Sequence, residues 1–157
     1  MKMILVYGYG NPGRQDDGLG PALVGMLEEE GIPGVETDCN YQLQIEDAEA
    51  VSRFDAVVFV DASMDGKEPF SFGGLEPSAE IAFTTHAMSP ASVLALCHEL
   101  YQKPVPAFLL GIRGYRWEPV EGLSDAAREN LEEAFRFLQS KLVEMTEAVK
   151  AGGRVSR

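Results

Sequence analysis

The chain of 157 residues is poor in cysteine and in basic side chains, and each shortage excludes a class of protein. Two cysteines, Cys39 and Cys97, are too few for a disulfide-stabilised scaffold. Thirteen Lys and Arg against 25 Asp and Glu leave a net charge of −12, which repels phosphate backbones and anionic lipid. The longest apolar runs, at 56–60 and 105–112, are much shorter than the ~18 residues of a membrane-spanning helix.

The N-terminus also lacks the apolar length and the cleavage site of a secretory signal, because residues 1–7 lead directly into Gly8. Without an export signal, we expect both cysteines to be reduced, as they are in a cytosol. The sequence therefore predicts a cytoplasmic protein with neither a nucleic-acid nor a membrane partner, and we expect it to be a monomer.

Histidine is equally scarce, and this limits the kinds of catalysis that are possible. Only His86 and His98 are present, and His98 falls in a polar part of a predicted helix, where we expect it to be exposed. Cys97 lies on the apolar stripe of the same helix, which predicts an inert buried thiol. The sequence contains neither a Gly-x-Ser-x-Gly elbow nor a His-Glu-x-x-His zinc motif. A hydrolase of this sequence would not use the usual serine or zinc-peptidase machinery.

Apolar runs that alternate with helical patterns predict a single α/β domain. The runs typical of buried strands are Met3–Tyr7, Ala56–Val60 and Val105–Ile112, with weaker strands at Val35–Cys39, Phe70–Phe72 and Glu80–Thr84. Helices are predicted from Leu19 to Gly31, over a short acidic stretch at 45–54, after Ser89-Pro90, and from Ser124 or Asp125 to Gly152. We predict a three-layer fold, a twisted and mainly parallel sheet flanked by helices, over residues 1–151. Residues 152–157 are expected to form a flexible tail.

Polar residues follow several of the predicted strands, where ligands of parallel sheets bind. The first strand leads into a loop from Gly8 to Gly18, the strand at 56–60 leads into Asp61, and the strand at 80–84 leads into His86. Residues 111–114 follow the last strand and are expected to line the same cleft. If the strands are parallel, these segments meet at one edge of the sheet.

The first loop allows a dinucleotide-binding interpretation, because Gly8, Gly10 and Gly13 satisfy Gly-x-Gly-x-x-Gly after a strand. That pattern alone is weakly specific. Asp16 and Asp17 also occupy the part of the loop that would face a pyrophosphate, and two carboxylates there repel it.

A divalent-cation site built from Asp17, Asp61 and His86 is the competing interpretation. Carboxylates and an imidazole suit a borderline ion such as Ni²⁺ or Zn²⁺. Each residue also has an ordinary structural explanation. Asp16 or Asp17 would cap a helix, Asp61 would hydrogen-bond to nearby backbone, and His86 would be a satisfied histidine near the next helix. The residues alone leave these alternatives open.

The order of the motifs resembles that of the hydrogenase maturation endopeptidases, which process the large subunit of nickel-iron hydrogenases. Gly8-Tyr9-Gly10-Asn11 followed by Asp16-Asp17-Gly18-Leu19-Gly20 is similar to the family's first motif. Val60-Asp61-Ala62 resembles the second and 84–90 the third, with 110–112 and 122–124 similar to the C-terminal part. The similarity extends over nearly the whole chain, in order and with suitable spacing.

The resemblance implies an α/β fold and a nickel site formed by Asp17, Asp61 and His86. It implies an endopeptidase that recognises nickel already installed in the hydrogenase large-subunit precursor and removes a C-terminal extension by attack of water. In the site of this endopeptidase, we expect Asp16 to be the general base and Gly10 and Asn11 to contact the peptide that is cut. The alternative is a nickel-binding maturation chaperone without peptidase activity.

Overall fold

The computed structural model describes residues 3–78 and 88–155, whose strands form one five-stranded sheet in the order β2-β1-β3-β5-β4. The strands are β1 (Ile4–Tyr9), β2 (Val35–Asn40), β3 (Ala56–Ser63), β4 (Phe70–Gly74) and β5 (Ala107–Arg113). Neighbouring strands are parallel except β4, which pairs antiparallel with β5 at one edge. The predicted α/β fold with a mainly parallel sheet is confirmed.

In the described part of the chain, four α-helices and one 3-10 helix accompany the strands. They are the 3-10 helix (Pro12–Gly18), α1 (Leu19–Glu30), α2 (Asp47–Val51), α3 (Pro90–Tyr101) and α4 (Asp125–Lys150). The predicted caps are present, since the Ser89 and Ser124 hydroxyls accept hydrogen bonds from the third backbone N–H of α3 and α4. Gly31 ends α1 in the left-handed conformation, at φ +66°.

The sheet is buried on both faces, which explains why its central strands are continuous apolar runs. Along β1, Ile4 and Val6 belong to a core cluster shared with α1 and α4. Leu5 and Tyr7 point to the opposite face and belong to a second cluster shared with α2 and α3. The fold therefore has the three layers that the sequence predicts.

The strand order brings the carboxyl ends of β1 and β3 together. The chain leaves β1 through α1 to form β2 on one side, and then returns through α2 to form β3 on the other side of β1. The direction of strand addition thus reverses between β1 and β3. In open α/β sheets such a switch point is where ligands bind.

Several local expectations are settled by the structure. The edge strand near Phe70 is confirmed, and its ring packs against Phe137 of α4 with centroids 5.0 Å apart. Within the expected tail, the apolar side chain of Val155 is buried in the first core cluster, and the flexibility of residues 152–157 stays a prediction. The strand predicted at Glu80–Thr84 lies outside the described residues. Within residues 3–78 and 88–155, no helix is both long and apolar enough to cross a membrane.

Candidate active site

Two glycines allow α1 to begin in direct contact with the sheet. A Cβ atom at Gly20 would lie 2.6 Å from the Val60 carbonyl oxygen and 2.7 Å from that of Tyr9. One at Gly8 would lie 2.5 Å from the Gly20 carbonyl oxygen. Both distances are far below van der Waals contact, so only glycine fits at either position. The motif glycines thereby bring the loop before α1 over the ends of β1 and β3.

Gly10 and Asn11, the predicted peptide contacts, shape this loop. Gly10 has φ +140°, and a Cβ atom there would lie 2.0 Å from the Asp17 carbonyl oxygen. Asn11 caps the 3-10 helix, because its Oδ1 accepts a 2.9 Å hydrogen bond from the Gly13 backbone N–H. Its own backbone N–H donates to Asp17 Oδ2 at 2.7 Å. These contacts show how the loop is held, while contact with a peptide stays a prediction.

Asp17 and Asp61 come together at the switch point. Asp61 lies inside the last part of β3, opposite Gly111 of β5, and not after the strand as the sequence suggested. Burial, together with the negative charge of Asp17, raises the pKa of Asp61 to about 6. The backbone N–H of Ala62, at 2.8 Å, and the Tyr9 hydroxyl donate to this carboxylate and oppose the rise.

Tyr9 is the member of this site that sequence analysis missed. It is half-buried at the end of β1, and burial together with the neighbouring Asp61 carboxylate raises the pKa of its hydroxyl. The hydroxyl therefore stays protonated and donates to Asp61. The sequence signal for a role of Tyr9 in the site is its position between the motif glycines Gly8 and Gly10. A tyrosine at the end of a strand, however, usually indicates packing only.

His86, the third predicted ligand, lies outside the described residues. Within residues 3–78 and 88–155, no group of three or more His, Cys, Asp or Glu side chains is arranged to hold a metal ion. The structure therefore brings together two of the three predicted ligands, Asp17 and Asp61. The other predicted side-chain states are confirmed, since His98 is exposed and Cys97 is buried.

Asp16 does not have the environment of a general base. It is fully buried and accepts four hydrogen bonds, from the backbone N–H groups of Tyr115, Arg116 and Ser124 and from the Ser124 hydroxyl. Burial opposes ionisation of Asp16, but these donors outweigh it and lower its pKa. A stabilised carboxylate with all its donors inside the protein is a weak base, so this environment favours a structural role for Asp16, and the general-base role stays a prediction.

The capping and dinucleotide interpretations of the first loop also fail. The N-cap of α1 is Gly18, and among the described residues no side chain caps this helix. The Leu19 backbone N–H donates to the Asp16 carbonyl oxygen, and a Cβ atom at Gly18 would lie 2.8 Å from Pro12 Cα. The 3-10 helix thus covers the start of α1, where a pyrophosphate would have to bind.

Comparisons with known proteins give structural relatives only. No protein-family model matches the chain, and no curated protein matches its sequence. Among solved structures, the hydrogenase maturating endopeptidase HybD from E. coli is 25% identical, with a TM-score of 0.71 over 90% of this chain and 93% of that one. A [NiFe] hydrogenase maturation protease, HycI from Thermococcus kodakarensis KOD1, is 26% identical, with a TM-score of 0.67 over 87% and 90% of the two chains.

A third structure, the hydrogenase 2 maturation peptidase from Thaumarchaeota archaeon SCGC_AB-539-E09, has a TM-score of 0.66 at 22% identity. It matches 90% of this chain and 98% of its own length. The likeness thus extends over most of the length of both chains. In its fold, the chain is thus similar to hydrogenase maturation endopeptidases of known structure.

Proposed function

We propose that this protein is an endopeptidase that removes a C-terminal extension from the nickel-loaded large-subunit precursor of a nickel-iron hydrogenase. The observation that carries the proposal is the pair of carboxylates, Asp17 and Asp61, at the switch point of a fold shared with maturation endopeptidases. Because both cysteines are free, the reaction is assigned to the reducing cytoplasm. The chain is proposed to act as a monomer.

Nickel enters as part of the substrate. Asp17 and Asp61 supply carboxylate oxygens. Burial and, to a smaller extent, the negative charge of Asp17 raise the pKa of Asp61, and a bound cation would neutralise the charge that the two carboxylates share. With His86 as the third ligand, the donor set is one that Ni²⁺ accepts. When bound, the ion polarises a carbonyl oxygen as a Lewis acid. The chain's own carboxylates hold the precursor so that its C-terminal extension lies at the ends of β1 and β3.

The described part of the chain supports attack by water over attack by a side chain. Cys97 is buried, and burial raises the pKa of its thiol. Cys39 is exposed on β2, but partial desolvation and the neighbouring Asp38 carboxylate raise its thiol pKa as well. Neither thiol has the lowered pKa of a nucleophile. Reagents that trap serine or cysteine should therefore leave processing intact.

The test is to incubate the protein with nickel-loaded precursor and to weigh the product. A mass loss equal to a C-terminal peptide supports the proposal, whereas stable association without cleavage identifies a nickel-binding chaperone. Precursor prepared without nickel should stay uncut even with excess enzyme. Cleavage of that nickel-free precursor would refute recognition through nickel but not the peptidase activity.

Single substitutions then test the ligands. Asp17→Ala, Asp61→Ala and His86→Ala should each abolish processing, because each substitution removes one ligand of the proposed nickel site. His98→Ala is the matched control, since it removes an exposed imidazole from α3, and it should process at the wild-type rate. Normal processing by His86→Ala would show that the third ligand is misassigned.

A further inference from the structure

The segment 114–124, between β5 and α4, is bound to the 3-10 helix along its length. The Gln15 backbone N–H donates to the Val120 carbonyl oxygen at 2.9 Å, and the Asp16 backbone N–H donates to that of Arg116 at 3.0 Å. We call this segment the 114–124 loop. Its first residue, Gly114, donates a 2.9 Å hydrogen bond to the Ser63 carbonyl oxygen at the end of β3.

The buried Asp16 carboxylate is the centre of this attachment. Oδ2 accepts from Tyr115 N at 2.7 Å, from Arg116 N at 3.0 Å and from the Ser124 hydroxyl at 2.8 Å, and Oδ1 accepts from Ser124 N at 2.8 Å. A charge with no exposed surface is tolerated only when it is hydrogen-bonded in this way. One side chain thus holds both ends of the loop, next to β5 and next to α4.

The backbone before Asp16 is strained, which indicates that the attachment imposes a particular geometry. Gln15 has φ +50° and ψ −116°, a conformation that residues other than glycine rarely adopt. Its side-chain Oε1 accepts a 3.1 Å hydrogen bond from the Glu118 backbone N–H. Such strain persists only where surrounding contacts determine the conformation. Here those contacts come from the 114–124 loop.

Asp17 is the next residue, and its side chain contacts groups other than those that bind Asp16. Its carboxylate accepts a 2.7 Å hydrogen bond from the Asn11 backbone N–H. It also lies close enough to Asp61 for its negative charge to contribute to the raised pKa of Asp61. Since the 114–124 loop is bonded to β3 through Ser63 and to the 3-10 helix through Asp16, it connects the two elements that carry Asp17 and Asp61.

We propose that Asp16 is a positioning residue, whose buried carboxylate ties the 114–124 loop to the 3-10 helix and thereby holds the neighbouring Asp17 carboxylate beside Asp61. The claim about geometry stands on the hydrogen bonds alone. Its consequence for processing rests on the proposed function.

The first experiment measures residue-resolved amide hydrogen exchange of the full chain by NMR, in wild type and Asp16→Asn. The asparagine NH₂ group would face backbone N–H donors, so the amides of Tyr115, Arg116 and Ser124 should exchange at least tenfold faster. The amide of Asn11 should accelerate by a similar factor, because it reports whether the Asp17 carboxylate is held. The amide of Val6, in the centre of β1, should stay unchanged.

Two further variants make the measurement decisive. Asp55→Asn removes the same charge from an exposed side chain next to β3 and should leave all these amides unchanged. Ser124→Ala removes one of the four hydrogen bonds to Asp16, so an intermediate acceleration at Asn11 is expected even if Asp16→Asn folds poorly. An Asn11 amide that stays within twofold of wild type in both Asp16→Asn and Ser124→Ala would overturn the positioning role.

The second experiment measures processing of nickel-loaded precursor by the same variants under conditions where circular dichroism shows them folded. Asp16→Asn should lower kcat/KM at least tenfold, and Asp55→Asn should not change it. Wild-type kcat/KM in a folded Asp16→Asn protein would refute the role in processing. If the wild type itself fails to cut, the proposed function is wrong, and the exchange rate at Asn11 still decides whether Asp16 positions Asp17.

Discussion

The contact between α1 and the sheet is most directly tested by Gly20→Ala. The added methyl group would meet three backbone atoms, at 2.6 Å from the Val60 oxygen, 2.7 Å from the Tyr9 oxygen and 2.9 Å from the Tyr9 nitrogen. No side-chain rotation relieves these contacts, because all three atoms belong to β1 and β3. The helix must therefore move away from the strands.

The expected cost follows from two opposing effects. Overpacking a well-filled site costs about 1–3 kcal/mol, and rigid backbone neighbours favour the upper end of that range. Replacing glycine by alanine in a helix returns about 1 kcal/mol. We expect Gly20→Ala to lower the free energy of unfolding by about 2 kcal/mol, which for a domain of this size lowers Tm by roughly 4–8 °C.

Gly25 provides a matched control on the same helix. It is exposed, and no described heavy atom lies within 4 Å of the Cβ position. Gly25→Ala should therefore show only the helix-propensity gain of about 1 kcal/mol and raise Tm by roughly 2–4 °C. Both variants and the wild type are compared by urea and thermal unfolding. Equal stability of Gly20→Ala and wild type, or a loss of stability in Gly25→Ala, would refute the steric argument.

Four further outcomes are expected. Because burial raises the pKa of Asp61 to about 6, ionisation of its carboxylate destabilises the metal-free fold as the pH rises from about 4 through 6. In urea unfolding, Asp61→Asn should therefore gain stability relative to wild type over that pH window. A thiol reagent should modify Cys39 in the native protein and Cys97 only after denaturation, as counted by mass spectrometry. Ser89→Ala should cost about 1 kcal/mol as a lost cap. Ser124→Ala should cost more in the same unfolding assay, since its hydroxyl also donates to a buried carboxylate.

Most of the fold was predictable because its signals are local. Continuous apolar runs mark strands buried on both faces, and the cap at Ser89 and the glycine at position 31 mark helix ends. The strand boundaries in the structure differ from the predicted ones by a few residues where strand pairing continues beyond the apolar run. β3, for example, extends to Ser63 because it pairs with β5 as far as Arg113.

The environments of the site residues were not predictable, because they depend on contacts between distant parts of the chain. Asp16 and Asp17 are adjacent and chemically identical, yet one is fully buried and the other is half-buried at the sheet edge. The difference comes from donors about a hundred residues away, at Tyr115 and Ser124. Neither composition nor spacing shows which of two neighbouring carboxylates such donors will face.

The motif glycines show why the first loop has two interpretations in sequence and one in structure. Glycine pairs after a strand suit a loop that approaches a phosphate, and equally a loop that packs against its own helix. Here Gly8 and Gly20 lie against protein backbone. The space that a Cβ atom of Gly10 would need is occupied by the Asp17 carbonyl oxygen. The space that a dinucleotide would need is occupied by the 3-10 helix. What the glycines leave at the switch point is a pair of carboxylates, Asp17 and Asp61, and this chemistry favours a cation over a phosphate.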